Sequence, residues 1–297
     1  MKGKTAYVLA DIEGSTGVWT KAQTQKGRPW QEARVALTED LNAVAQALFE
    51  RGAGRIILKD WHRTGFNIIP SDLDPRIHLI SGYYAGPAIG LGDLHGADFA
   101  LFVGFHASSG NPQGFLPHTL TSRIAEIVVN GQRICEAELF ASVLSRFRVP
   151  VCFFSGCPAA CDEIKERMPW VVTYALLKDP QIDSDPRLRN QYIQKMREGL
   201  RAKIHEIPDH PETLPLFAMA PPFDCQVYFH DEDQTRRMNP WNFPQQGKSL
   251  LFHAASFPEL YENLLKIAYF TRWTYRLRKV LLPLSRTLWR IQARKHL

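Results

Sequence analysis

Nothing in this 297-residue sequence approaches the ~20 consecutive apolar residues of a membrane span. The chain opens on Met1-Lys2-Gly3-Lys4 and passes straight into a short strand-like run, with neither the apolar stretch nor the small-residue cleavage site of a secretory signal. A cytoplasmic protein is expected on that ground. Cysteine is scarce: Cys135, Cys152, Cys157, Cys161 and Cys225 make an odd count with no framework spacing, which speaks for reduced thiols and against a disulfide scaffold. Cys157 and Cys161 could clasp a soft metal from the first turn of a helix, or fill the core as small apolar residues. No repeat and no low-complexity segment appears. Charge is unevenly placed. From Thr271 onward there are eight Lys/Arg and no Asp or Glu, which leaves 28 basic against 30 acidic residues elsewhere. The formal +6 therefore belongs to the tail, and the body is no basic platform for nucleic acid.

What is present is ordinary globular material, 45% hydrophobic and 22% charged, enough for a full core. Short apolar runs at 5–10, 55–59 and 99–105 alternate with helical spacing, as in Leu37, Leu41, Val44, Ala45 and Leu48 between Trp30 and Arg51. Further strands are expected at 76–81, 149–154, 171–175 and 225–230. Asn130-Gly131 between 124–129 and 132–134 signals a hairpin. Ser184-Asp185-Pro186 starts a helix to His205, and another is expected over 258–270. A glycine-rich connection covers 82–92. These patterns predict an α/β fold with a mostly parallel central sheet flanked by helices, and a smaller C-terminal α+β subdomain. The expected division is 1–180 for the catalytic domain, 181–275 for the subdomain and 276–297 for a basic amphipathic tail.

Each of the first strands runs into acid or imidazole groups: Asp11-Ile12-Glu13, Asp60-Trp61-His62 and His106. Ligands bind at the carboxyl ends of such strands, so these groups are expected to converge on one crevice. The two carboxylates of Asp11 and Glu13 stand at i and i+2, on one side of an extended chain. Two buried like charges repel unless a cation lies between them. Oxygen and imidazole donors without thiolate suit a catalytic zinc site.

The order of motifs resembles the D-aminopeptidase family of dinuclear zinc metallopeptidases. Asp11-Ile12-Glu13-Gly14 is similar to that family's Asp-x-Glu-Gly, Asp60-Trp61-His62 to its Asp-x-His, and Gly104-Phe105-His106-Ala107 to its Gly-x-His-Ala. Pro117-His118-Thr119 occupies the place of its second loop histidine, and Asn130-Gly131 followed by Glu136 resembles its Asn-x-x-x-x-x-Glu segment. The resemblance covers roughly residues 5 to 275, and the five motifs are specific only in this order. It implies Asp11, Glu13, His62, His106 and Glu136 as ligands of two zinc ions per subunit, with Asp11 bridging and His118 as a further catalytic residue. Two departures touch the pocket: Cys157-Pro158 follows Gly156 where acids are common, and Cys135 stands where a glycine often precedes the glutamate.

The function this implies is a zinc-dependent aminopeptidase that hydrolyses short peptides or amino-acid amides, including those with D-amino-acid N-termini, through a two-metal activated water. A ring-shaped homo-oligomer is implied as well. Two alternatives remain: a metal-dependent amidohydrolase acting on a non-peptide amide, and a metal-free, tail-anchored binding or scaffold protein. In the tail, Leu284, Leu288 and Ile291 lie roughly 200° around a helix from Arg286, Arg290 and Arg294, with Pro283 near the helix start. Peripheral membrane contact through residues 276–297 is one reading of that pattern. Packing on the body or on a neighbouring subunit is the other.

Overall fold

The computed structural model of the chain describes residues 1–84, 90–94 and 96–294. Residues 85–89 of the glycine-rich connection and Lys295 of the tail lie outside the described residues. In chain order the first elements are β1 (Thr5–Ala10), α1 (Arg28–Glu50), β2 (Arg55–Asp60), β3 (Ile77–Ile80) and β4 (Phe99–Phe105). Next come β5 (Ile124–Val129), β6 (Gln132–Arg133), α2 (Glu136–Ser145), β7 (Val151–Gly156), α3 (Pro158–Arg167) and β8 (Val172–Ala175). Then follow α4 (Pro180–Ser184), α5 (Pro186–His205), β9 (Phe223–Phe229), α6 (Glu232–Arg237) and β10 (Gln245–Gln246). The chain continues through β11 (Ser249–Ala254), α7 (Phe257–Tyr269), α8 (Arg272–Arg276) and α9 (Arg278–Arg294).

Six strands form one sheet in the order β3-β2-β1-β4-β7-β8. Every pairing in it is parallel. Alternate residues of β1 serve opposite faces. Ala6, Val8 and Ala10 pack with Leu37, Leu41 and Leu48 of α1 and with Leu200 and Ile204 of α5. Tyr7 and Leu9 join Phe102, Phe105 and Phe140 on the other face. Each such aromatic or aliphatic side chain, when fully buried, contributes about 1.5–3 kcal/mol. Gly52 closes α1 in the left-handed region at φ 87°, where the Ala53 N–H donates to the Leu48 carbonyl. The α5 start follows its local sequence: Asp185 accepts from the Arg187 N–H and Pro186 occupies the first turn.

A second, antiparallel sheet runs β10-β11-β9-β5-β6. It packs Ile127, Val227 and Leu250 against the same core as the second face of the parallel sheet, with Leu260 and Leu264 of α7. The β5–β9 pairing joins the Asn130-Gly131 hairpin to a strand beyond residue 181. Asn130 and Gly131 both take positive φ, 51° and 77°, as a tight hairpin turn requires.

The tail helix differs from the sequence expectation in its start. It begins at Arg278, so Pro283 lies inside the helix. Leu284, Leu288 and Ile291 are exposed, whereas Arg286 turns toward the body, donates to the Ser81 carbonyl at 3.2 Å and lies over the Tyr84 ring at 3.7 Å. Among the described residues no helix is long and apolar enough to cross a membrane. All five cysteines are buried and free. Cys157 and Cys161 sit in the apolar core, and the candidate metal groups among the described residues contain no thiolate.

Candidate metal centre

The strand order places β1 beside both β2 and β4, so the connections run to one side of β1 and then to the other. The crevice at such a reversal, beyond the carboxyl ends of the strands, is where an open α/β sheet binds its ligand. Asp11 and Glu13 follow β1, His62 follows β2 and His106 follows β4. Close packing of these strand ends needs glycine. Gly104 holds φ 77° within β4, and a Cβ there would collide with the Asp11 carbonyl. Gly14 donates its N–H to the Gly104 carbonyl at 2.7 Å, and a Cβ on it would strike the Phe105 carbonyl.

All six residues singled out from the sequence come together. Asp11, Glu13 and His62 form one set of donor atoms, Asp11, His106 and Glu136 a second, and Glu13, His106 and His118 a third. Each histidine is oriented the same way: one ring nitrogen meets a backbone carbonyl and the other faces carboxylates. His62 Nε2 lies 2.7 Å from the Thr24 carbonyl, and its Nδ1 is 3.1 Å from Asp11 Oδ1. His106 Nδ1 lies 3.1 Å from the Ala107 carbonyl, and its Nε2 is 2.9 Å from Glu136 Oε2 and 3.4 Å from Asp11 Oδ2. His118 Nδ1 lies 2.9 Å from the Leu116 carbonyl, its Nε2 is 3.4 Å from Glu13 Oε2, and its ring stacks on His106 at 3.9 Å. A carbonyl fixes the tautomer by taking one N–H, which leaves the other nitrogen's lone pair aimed at the cluster.

Charge balance gives this arrangement its meaning. Burial disfavours the Asp11 carboxylate, yet His106 and His62 outweigh it and hold the carboxyl well below the usual carboxylate range. Burial would lower the His62 pKa, but the Glu13 and Asp11 carboxylates push it up to about 9. His106 rises well above the ordinary imidazole value, because Asp11 and Glu136 outweigh its burial. The carboxylates therefore demand positive charge from their neighbours, a demand a cation also meets. Among the described residues Glu13 Oε2, His106 Nε2 and Glu136 Oε2 are buried and form no well-aligned hydrogen bond, although His106 Nε2 and Glu136 Oε2 stand 2.9 Å apart. Buried polar atoms are normally satisfied, so three unsatisfied atoms within these donor sets are what a bound ion would satisfy. The oxygen and imidazole donors fit zinc in a catalytic setting.

Supporting residues hold these groups in place. Glu136, first residue of α2, spends Oε1 on the Leu120 N–H at 2.8 Å and leaves Oε2 for the cluster. Asp60 is buried but stands apart from the donor sets. It accepts from Asn67 Nδ2 at 2.9 Å and the Ile68 N–H at 3.0 Å, and Asn67 in turn donates to the His62 carbonyl at 2.6 Å. It thus braces the loop that carries His62. The long loop from His106 to Leu120 is stapled to α3. Glu163 accepts from the Ser108 N–H, Ser108 Oγ and Asn111 Nδ2 at 2.9, 2.6 and 2.7 Å.

Asp11, Glu13, His62, Glu136 and His118 line a cavity of about 800 Å³. Tyr83, Tyr269 and Leu282 add apolar wall, and Lys21, Lys26 and Arg63 stand in it as the cationic members. Two residues tied to this wall, Leu282 in it and Lys59 beneath Tyr83, carry no sequence signal. Leu282 comes from α9, far along the chain, and Lys59 is a charged residue within an apolar strand that turns out fully buried. Lys59 Nζ donates to the Asp60 carbonyl and, at 3.0 Å, to the Gly82 carbonyl, beneath the Tyr83 ring. Burial lowers its pKa to about 7. Arg63, next to His62, holds φ 48°, a left-handed conformation that costs a non-glycine residue roughly 1–2 kcal/mol.

The D-aminopeptidase family matches residues 5–265. A D-aminopeptidase of Bacillus subtilis (strain 168) is 29% identical over 173 residues, 57% of this chain, and the match spans 62% of that protein's length. The solved structure of the Zn-dependent D-aminopeptidase DppA from Bacillus subtilis, described as a self-compartmentalizing protease, superposes with a TM-score of 0.74 at 21% identity. That superposition covers 89% of this chain and 96% of the other, and establishes a common fold.

Proposed function

Because this chain belongs to the D-aminopeptidase family, we propose that it is a zinc-dependent aminopeptidase that cleaves short peptides or amino-acid amides, including those with a D-residue at the N-terminus. One observation carries the reading: three histidines, each tied to a backbone carbonyl, turn their free nitrogens on carboxylates whose buried oxygens include unpartnered ones. Bound zinc supplies a Lewis acid for the scissile carbonyl and lowers the pKa of a water toward neutral.

The chain's own residues do the rest. Asp11 presents Oδ1 to His62 and Oδ2 to His106, which supports two ions sharing this carboxylate. Glu13 and His62 would complete one side, His106 and Glu136 the other. The Thr24 and Ala107 carbonyls hold the two imidazoles in the ligating tautomer. His118 stacks on His106 and lines the cavity, which supports a role for its Nε2 in carrying a proton to or from the scissile amide. Its anchored loop keeps that nitrogen in position. A cavity of about 800 Å³ admits a dipeptide-sized substrate and excludes a folded chain. The described self-compartmentalization of the structural neighbour supports a homo-oligomer here, with a ring as the expected form.

A panel of D- and L-amino-acid amides and dipeptides, assayed with added zinc and again after chelation, tests the reading. Zinc-dependent release of the N-terminal residue, with D-substrates preferred, is the expected result. A zinc-loaded protein that cleaves no member of the panel would refute it.

A further inference from the structure

We propose that α9 completes an anion subsite at the edge of the catalytic cavity, and that this subsite takes the free carboxylate of a short peptide substrate. The proposal rests on the aminopeptidase reading and extends it to substrate class. A second cavity, of about 460 Å³, is lined by Arg63, Arg123 and Arg286 together with the hydroxyls of Thr121 and Ser285, and no acid lines it among the described residues. Arg63, Tyr83 and Thr121 line both this cavity and the catalytic one, so the two adjoin along a common wall.

The three guanidiniums lack the partners that other arginines of this chain have. Arg51 meets Asp209, Arg167 meets Glu138 and Arg197 meets Asp40. Arg123 instead spends Nη2 on the Ala268 carbonyl at 2.8 Å, and Arg286 spends Nε on the Ser81 carbonyl at 3.2 Å. The Arg286 guanidinium further lies over the Tyr84 ring at 3.7 Å. Arg63 forms no hydrogen bond or ion pair among the described residues, and its backbone is held in the left-handed region beside His62. Three like charges around one cavity, none neutralised by a carboxylate among the described residues, repel one another, and an anion relieves that repulsion. Their planar forks and the Thr121 hydroxyl match a carboxylate, whereas Ser285 Oγ already donates to the Leu282 carbonyl at 2.8 Å.

The placement suits a peptide. Its amine and scissile carbonyl belong at the acidic cluster, and its far end carries the carboxylate outward along the shared wall. Ser285 and Arg286 lie outside the residues that match the family, so family membership does not supply this subsite.

The test uses the zinc-loaded full chain and two probes, D-alanyl-D-alanine and its C-terminal amide. Wild type should favour the free acid by on the order of 10- to 100-fold in kcat/KM, chiefly through KM, as a charge-assisted contact provides. Arg286→Gln and Arg123→Gln should each collapse the acid-to-amide ratio by about tenfold, whereas a merely structural role would lower both substrates alike. Inorganic phosphate should compete with the acid and spare the amide in wild type, a readout that needs no variant. An acid-to-amide ratio near one, a ratio unchanged in both variants, or phosphate inhibition equal for both substrates would each overturn the subsite. If neither probe is cleaved, the aminopeptidase reading fails on its own. Calorimetric binding then decides the subsite: acid bound more tightly than amide, and equalised by Arg286→Gln, supports it, while equal or absent binding overturns it.

Discussion

Replacing Lys59 by methionine isolates a charge that the fold buries completely. Its Nζ donates to the Gly82 carbonyl at 3.0 Å and lies under the Tyr83 ring, and so braces the strip that forms one cavity wall. Burial is the leading cause of its pKa near 7, with Asp60 opposing. In the unfolded chain the same amine titrates at its ordinary value of 10.5. Between those values the unfolded state binds more protons than the folded one, so the wild type gains stability as pH rises. Below pH 7 both states carry the charge and the gain disappears. Integrating the linkage from pH 7 to pH 9.5 gives roughly 3 kcal/mol in favour of the wild type. Lys59→Met has no such titration, so the stability difference between the two chains isolates the lysine from every other group. Urea unfolding of both zinc-loaded proteins at the two pH values measures it. A difference that stays constant within about 0.5 kcal/mol would refute the assignment of a buried, neutralising lysine.

Three further outcomes follow from the geometry. His118→Ala should retain its zinc but lose on the order of 10²–10⁴-fold in turnover, as steady-state kinetics with elemental analysis would show. Deleting residues 276–297 should leave zinc content unchanged, since every proposed ligand precedes residue 140. The exposed Leu284, Leu288 and Ile291 stripe gives that deletion a second readout: co-sedimentation with anionic liposomes that is lost on truncation and weakened by salt identifies membrane contact, and a changed assembly mass without it identifies subunit packing.

The parallel sheet was legible because its strands, buried on both faces, are continuous apolar runs. The cluster was legible for the same reason: Asp11, His62 and His106 interrupt those runs where each strand stops. Other features lay beyond periodicity. Ser249–Ala254 is a short strand with mixed exposure, and its pairing to β9, like that of β5 to β9, depends on contacts distant in sequence. Helical spacing placed Leu284, Leu288 and Ile291 on one stripe without saying which stripe the body would take. Arg286 faces inward because the Tyr84 ring and the Ser81 carbonyl receive it, and neither is visible from the tail's own pattern. Lys59 reads as an ordinary charged strand end until the Gly82 carbonyl and Tyr83 ring are seen to enclose it.

The proposed chemistry requires that Asp11, Glu13, His62, His106 and Glu136 hold zinc. Wild-type and Asp11→Ala chains, each reconstituted with zinc and freed of excess ion by gel filtration, should be compared by elemental analysis and by hydrolysis of a D-amino-acid amide. About two zinc ions per wild-type chain are expected, and in the variant a depleted metal content with most activity gone, because one carboxylate faces both His62 and His106. A wild-type chain that retains no zinc, or an Asp11→Ala chain that keeps its full complement and its activity, would contradict the proposed chemistry.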